Sequence, residues 1–175
     1  MSTDLRRAKP ARWVCGPRCL RAPFVLASVC AILLLAACAG APSGELEPPE
    51  IQYGFDVCQA CGMLIDDPRH AAASLTLEGA AYKFDDIGDM VRFHAEHHTE
   101  QVRAWFVHDF GTEAWLRAEA TWFVFGPDVD TPMGHGIAAF ADEASAVALA
   151  QAIGADVFSF DEARAALAAL DHAHH

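Results

Sequence analysis

The feature that most limits the fold is an order of elements that occurs twice. Residues 70–77 alternate loosely, meet the turn signal Glu78-Gly79 and resume over 80–84, which predicts a hairpin. Over 85–98, Ile87, Met90, Val91 and Phe93 or His94 fall at helical spacing, with acids in the first turn, where a helix favours them. Residues 102–107 read as a strand. The order then recurs: an aromatic strand at 121–125, a Gly-Pro-Asp loop, a strand at 135–140, an Ala-rich helix at 142–153 and a strand at 155–160. Phe84-Asp85-Asp86 before the first helix corresponds to Phe140-Ala141-Asp142 before the second, 56 positions later. The expected fold is therefore α+β: two tandem ββαβ units packed together, over 51–112 and 113–175. A closing helix runs over 161–170 with Asp161 as its cap, followed by the histidines at 172, 174 and 175.

What precedes residue 51 belongs to neither unit. Arg6, Arg7, Lys9, Arg12, Arg18 and Arg21 stand against a single acid, Asp4, and an apolar run follows over 22–37. That run is short for a bilayer span of about 20 residues and suits a signal segment. It ends in Leu35-Ala36-Ala37-Cys38, which looks like a lipobox, so residues 1–37 are expected to be removed and Cys38 to carry lipid. Residues 38–50, rich in Gly, Pro, Ser and Glu, then form a linker.

Cleavage changes the charge. The leader takes six of the 12 basic residues and one of the 24 acidic ones, leaving six against 23, a formal charge of −17 over 138 residues. Such a surface repels nucleic acid and anionic head groups, so a lipid anchor, and no basic patch, would hold the domain at a membrane. Cys15, Cys19 and Cys30 leave with the leader, and Cys38 is consumed by lipid. Cys58 and Cys61 remain, as a Cys-x-x-Cys. In an oxidising compartment the pair is a disulfide, a redox centre or a metal site.

The stretch Cys58-Gln-Ala-Cys61-Gly-Met63 offers thiolate and thioether, soft donors that select Cu(I) over hard ions, and Gly62 lets one loop turn Cys61 and Met63 together. A zinc site would want a second Cys pair. A redox centre would want the pair between a strand and a helix, whereas here it precedes a strand pair. Thr131-Pro-Met133-Gly-His135-Gly leads into the second hairpin as the Cys stretch leads into the first. Met133 and His135 are thus either further donors across a cleft, or a core plug and a solvated side chain. Asp85 is the expected helix cap, with Asp86 free to reach the cleft. His94 and His98 could chelate from one helix face, although an exposed polar helix end is the plainer reading. The aromatic residues of the strands, Trp105, Phe106, Trp115, Trp122, Phe123 and Phe125, read as core.

Together, the Cys-Gly-Met stretch after a lipobox and linker, the run Phe84-Asp85-Asp86-Ile87-Gly88-Asp89-Met90 and the run Thr131-Pro-Met133-Gly134-His135-Gly136-Ile137-Ala138-Ala139-Phe140 resemble the NosL family, over nearly all of the chain from Cys58 to about Phe160. The resemblance implies a pair of ββαβ units and a lipoprotein facing the periplasm, anchored in the outer membrane. It also implies a non-enzymatic Cu(I) carrier whose client is nitrous oxide reductase, with an ABC-type transporter complex as a further partner. Carried across residue by residue, it places copper on Cys61 and Met63, then Met133, His135 and Asp86. The full Cys-x-x-Cys departs from the family pattern and leaves Cys58 as either a ligand or a disulfide partner. The alternatives are an organomercurial-lyase-like enzyme, a thiol–disulfide exchanger using Cys58 and Cys61, or a zinc-binding structural protein.

Overall fold

The computed structural model describes residues 46–173; the leader, Cys38, the start of the linker, His174 and His175 lie outside the described residues. Strands β1 (Ala72–Thr76) and β2 (Ala81–Phe84) form the expected hairpin, with Gly79 in its turn at φ +90°. Helix α1 (Ile87–Glu96) follows, then β3 (Val102–His108), which pairs with β1 on the side away from β2. In the second unit β5 (Trp122–Phe125) lies between β6 (Ile137–Phe140) and β7 (Val157–Phe158), with α2 (Glu143–Ile153) between the latter two in sequence. Both units thus share one antiparallel topology, with the first strand central and the second and third on its flanks. Helix α3 (Phe160–Ala173) closes the chain, beginning one residue before its expected start.

Two features lie outside the expected pattern. Strand β4 (Trp115–Arg117) pairs with β3, so the first sheet, ordered β2-β1-β3-β4, runs past the boundary expected at residue 112. Leu46, expected in the linker, packs with Leu75 and Trp115 on Ala73, Ala104 and Phe106, covering the outer face of that sheet.

The period-two alternation of strands decides what faces what. Trp105 and Val107 point inward and Phe106 outward; Phe123 and Ile137 point inward while Val124, Ala138 and Phe140 meet α2 through Ala146 and Ala150. The inward sets of both sheets join Phe84, Ile87, Met90 and Phe93 of the first unit and Phe160, Ala163 and Leu167 of α3 in one core. Apolar burial is therefore shared between the units, which is what packs them together. A polar joint adds to it. The Phe110 amide donates to the Ala139 carbonyl at 2.8 Å, and the Ala141 amide donates to Asp109 Oδ2 at 2.9 Å. The other oxygen of Asp109 accepts from Gly111 and from the amide and hydroxyl of Thr112. Burial alone would raise the Asp109 carboxyl, yet these donors hold it below the usual carboxylate range.

The two helix starts show why the repeat was visible. Asp86 and Asp142 are both N-caps with extended backbone, and each accepts a hydrogen bond from an amide of its own first turn. The cap of α1 is therefore Asp86 and not Asp85, as the sequence suggested; the extended residue whose oxygen reaches the Gly88 amide is one position later.

Candidate metal centre

The Cys stretch folds as a tight loop closed by an isolated bridge between Val57 and Leu64. The Cys58 amide donates to the Met63 carbonyl at 2.7 Å, and the Gly62 amide to the Cys58 carbonyl at 3.0 Å. Gly62 has φ +75°, a left-handed backbone that a β-carbon would strain. The loop is tied to the first hairpin by the Gln59 amide on the Lys83 carbonyl and by an ion pair from Lys83 Nζ to Asp56 at 2.7 Å. These restraints turn both thiols toward the start of α1.

There Cys58, Cys61, Asp85 and Asp89 bring one donor atom each within 4.8 Å of one another. Cys58 Sγ lies 3.4 Å from Asp89 Oδ2, and Cys61 Sγ lies 3.5 and 3.6 Å from the two oxygens of Asp85. Both cysteines are free thiols, and Cys58, Asp85 and Asp89 are buried. His135 stands one step behind, its Nε2 3.0 Å from Asp89 Oδ1. The ring lies on α1 where Gly88 has no side chain; a β-carbon at 88 would overlap His135 Cβ, Cγ and Cδ2. A nitrogen that fixes the orientation of a candidate ligand carboxylate is a familiar supporting arrangement at metal sites.

The electrostatics follow from burial and pairing. Burial pushes the Cys58 thiol well up, helped by a hydrogen bond to Asp85, and burial also raises the Cys61 thiol. For Asp89 burial works toward a higher value, but hydrogen bonds from His135 and from both thiols outweigh it and the carboxyl is lowered. The His135 imidazole is raised by its hydrogen bond to Asp89 against the opposing effect of burial. The apo centre therefore holds two protonated thiols beside an ionised Asp89. A cation entering it displaces the thiol protons and neutralises the buried negative charge that remains.

Of the six residues expected at the metal, the structure brings two, Cys58 and Cys61, into this cluster. His135 meets it through Asp89. Asp86 lies beside it with both oxygens committed to backbone: Oδ1 accepts from Gly88 at 2.7 Å and Oδ2 from the Met133 amide at 3.2 Å. It thereby fastens the 131–136 loop to the helix, in which Gly136 is also required, since a β-carbon there would strike the Gly126 carbonyl. Met133, 37 % exposed, lines a cleft of about 390 Å³ together with Cys61 and Asp89. Met63, 52 % exposed, lines a different cleft with Asp67, His70 and Asp130. Sequence reasoning did not assign Asp85 and Asp89 as candidate donors. Their spacing of four at a helix start was the available signal, and it is equally the spacing of ordinary first-turn acids.

His94 is no exposed helix end: it is buried among Phe84, Phe93 and Trp105, with Nε2 2.7 Å from the Ser74 hydroxyl, while His98 is exposed. The side chain of His172 lies outside the described residues.

Two sulfurs and two carboxylates, of which Cys61 and Asp89 line a cleft, suit a soft or borderline cation, and the thiols favour one that takes few, soft ligands. The crystal structure of the copper chaperone NosL from Shewanella denitrificans superposes with a TM-score of 0.59 at 24% identity, covering 66% of this chain and 94% of that one, which supports the two-unit fold. The copper-binding lipoprotein NosL of Stutzerimonas stutzeri is 29% identical over 132 residues, 70% of this chain and 69% of that protein. The NosL family model matches residues 52–168, from the Cys loop to α3, and the chain belongs to the NosL family.

Proposed function

We propose that this chain is a metallochaperone that binds one Cu(I) ion and passes it to an apo-enzyme, nitrous oxide reductase, without catalysing a reaction of its own. The observation that carries the reading is the pair of free thiols, Cys58 and Cys61, gathered with Asp85 and Asp89, with Cys61 and Asp89 lining an open cleft. Thiolate sulfur selects Cu(I), and an ion held at a cleft floor is accessible to an incoming ligand. The relatives, one a copper-binding lipoprotein and one a copper chaperone, support the same cargo. The lipoprotein name of the first supports lipid on Cys38, which would tether the domain to a membrane facing the periplasm, the outer membrane by preference. No described helix is long and apolar enough to cross a membrane. An ABC-type transporter complex is the further partner in this reading.

Anaerobic titration of the full chain with Cu(I) against a competing chelator tests the cargo. One tightly bound ion is expected. A Cys61→Ser chain that binds as tightly as the parent would sink the site. Transfer of that ion to apo nitrous oxide reductase, followed by recovery of its activity, tests the client. The cluster also holds what cleavage of a carbon–mercury bond would use, two thiols and a carboxyl, so release of hydrocarbon from an organomercurial is the outcome that would replace a carrier with an enzyme.

A further inference from the structure

The donor cluster is deep, and the cleft that opens onto it has its own ligand. Cys58, Asp85 and Asp89 are nearly inaccessible, while Cys61 and Asp89 form the cleft floor, with Met133 and His97 also on its lining. Cys61 and Asp89 are the cluster donors on this lining, and Met133 and His97 are its soft and imidazole donors outside the cluster. His97 is held for that role. Its ring stacks on Phe93, centroids 4.2 Å apart and planes 22° from parallel, and its Nδ1 lies 2.7 Å from the Phe93 carbonyl. A carbonyl oxygen can only accept, so Nδ1 carries a hydrogen and Nε2 is the ring position left to bind a metal. A tautomer fixed through Nδ1 in this way is how a metal-ligating imidazole is commonly oriented.

Resting on the reading of the Cys58–Cys61 cluster as a Cu(I) site, we infer that His97, with Met133, is an outer station on the copper path, binding the ion transiently as it enters and leaves. On entry, Cu(I) is held by His97 Nε2 and Met133 sulfur; a bond to Cys61 sulfur forms as its proton leaves to water and the bond to His97 breaks, and then a bond to Cys58 sulfur forms as its proton leaves to water and the bond to Met133 breaks. Copper stays Cu(I) throughout, and exit runs the same exchange in reverse. Metal exchange between soft ligands is fastest when a new donor attaches before an old one leaves, so removing the outer donor acts on rate far more than on equilibrium affinity.

The test uses the full chain in detergent, loaded anaerobically with Cu(I) and mixed in a stopped-flow instrument with the chromogenic Cu(I) chelator bathocuproine disulfonate. His97→Phe keeps a ring to stack on Phe93 but has no donor; release should slow on the order of tenfold while affinity changes much less. His97→Met returns a soft donor and should restore most of the rate, which a merely structural role for the imidazole would not allow. His98→Phe, on the exposed turn beyond the cleft, is the control. Release from His97→Phe within twofold of the parent overturns the inference. So does a His97→Met chain as slow as His97→Phe. If the parent binds no Cu(I), the reading of the cluster falls and this inference with it, whereas intact binding with unchanged rates overturns this inference alone.

Discussion

The two ββαβ units differ most where they are most alike. Phe84 and Phe140 end equivalent strands, and Asp86 and Asp142 cap equivalent helices. Between and just after these shared positions the units part: Asp85, Gly88 and Asp89 in the first stand where Ala141, Ala144 and Ser145 stand in the second. Those three positions supply two donors of the cluster and the gap that seats His135. Asp142, exposed, serves its own helix alone, whereas Asp86, 1 % exposed, also holds the Met133 loop. The same scaffold is thus a plain structural turn in one unit and the candidate metal cradle in the other, and the difference is carried by three positions at one helix start. The second unit still contributes, by lending His135 and Met133 across the junction.

The comparison can be broken most severely at the thiols. Cys58→Ser or Cys61→Ser should each weaken Cu(I) binding by roughly two orders of magnitude or more, because a hard hydroxyl replaces a soft thiolate. Chelator competition reads this directly, and the fold should persist in circular dichroism. Next are the caps. Asp86→Ala leaves two amides without their acceptor in a buried place and should cost about 3 kcal/mol in chemical denaturation. Asp142→Ala should cost a fraction of that, and equal costs would show the two caps to be equivalent after all.

The helix starts themselves come third. Gly88→Ala drives a methyl group into the His135 ring and should cost about 2 kcal/mol in stability, despite the better helix propensity of Ala, and should weaken Cu(I) binding by displacing the partner of Asp89. Ala144→Gly, the mirror exchange, should cost only about 1 kcal/mol from propensity and leave copper untouched.

The last effect is one of pH, and its sign differs between the His buried within the first unit and the one bridging to it. Burial lowers His94 to about 4 from an unfolded value near 6.5. Between those values the unfolded chain takes up a proton that the folded chain refuses. Stability of the apo protein should therefore fall as pH drops from about 6.5 toward 4, by ~1.4 kcal/mol per pH unit from this residue. His70 and His108, also lowered by burial, act in the same direction. His135 is raised, so its contribution is present below about pH 6.5 and is lost as pH rises through its folded value. Denaturation at pH 5 and pH 7 should show a flatter acid loss in His94→Asn and a steeper one in His135→Asn. Parallel changes in the two variants would contradict the opposed environments.

Much of this architecture was legible in the chain, for physical reasons that also explain the gaps. The turn signal at Glu78-Gly79 between two apolar stretches marks the first hairpin, and the 3.6-residue spacing of Ile87, Met90 and Val91 reports burial on one helix face, so these elements and their recurrence could be read. Strand β4 could not, because three residues between Ala114 and Ala118 carry no period; only pairing with β3 makes them a strand. His94 was misplaced because its helix end looks polar, and it is the tertiary wall of Trp105 and Phe84 that buries it. At the site, the two cysteines were visible from chemistry alone. Asp85 and Asp86 exchanged roles because neighbouring acids before a helix are equivalent until the backbone fixes which one reaches the Gly88 amide. Met63 beside Cys61 looked like a shared-ion pair, yet the loop that turns the thiols inward leaves the thioether exposed on another cleft.

The donors and their supports come from three separate stretches: the loop between Val57 and Leu64, the start of α1, and the segment around His135. An unfolded chain keeps only the Cys-x-x-Cys, a far weaker trap. The lifetime of the bound ion therefore cannot exceed the lifetime of the fold, and bound copper in turn delays unfolding by mass action. A damaged or partly digested molecule would drop its cargo, while a loaded one would resist the protease, so the cell's degradation machinery would preferentially clear empty carriers.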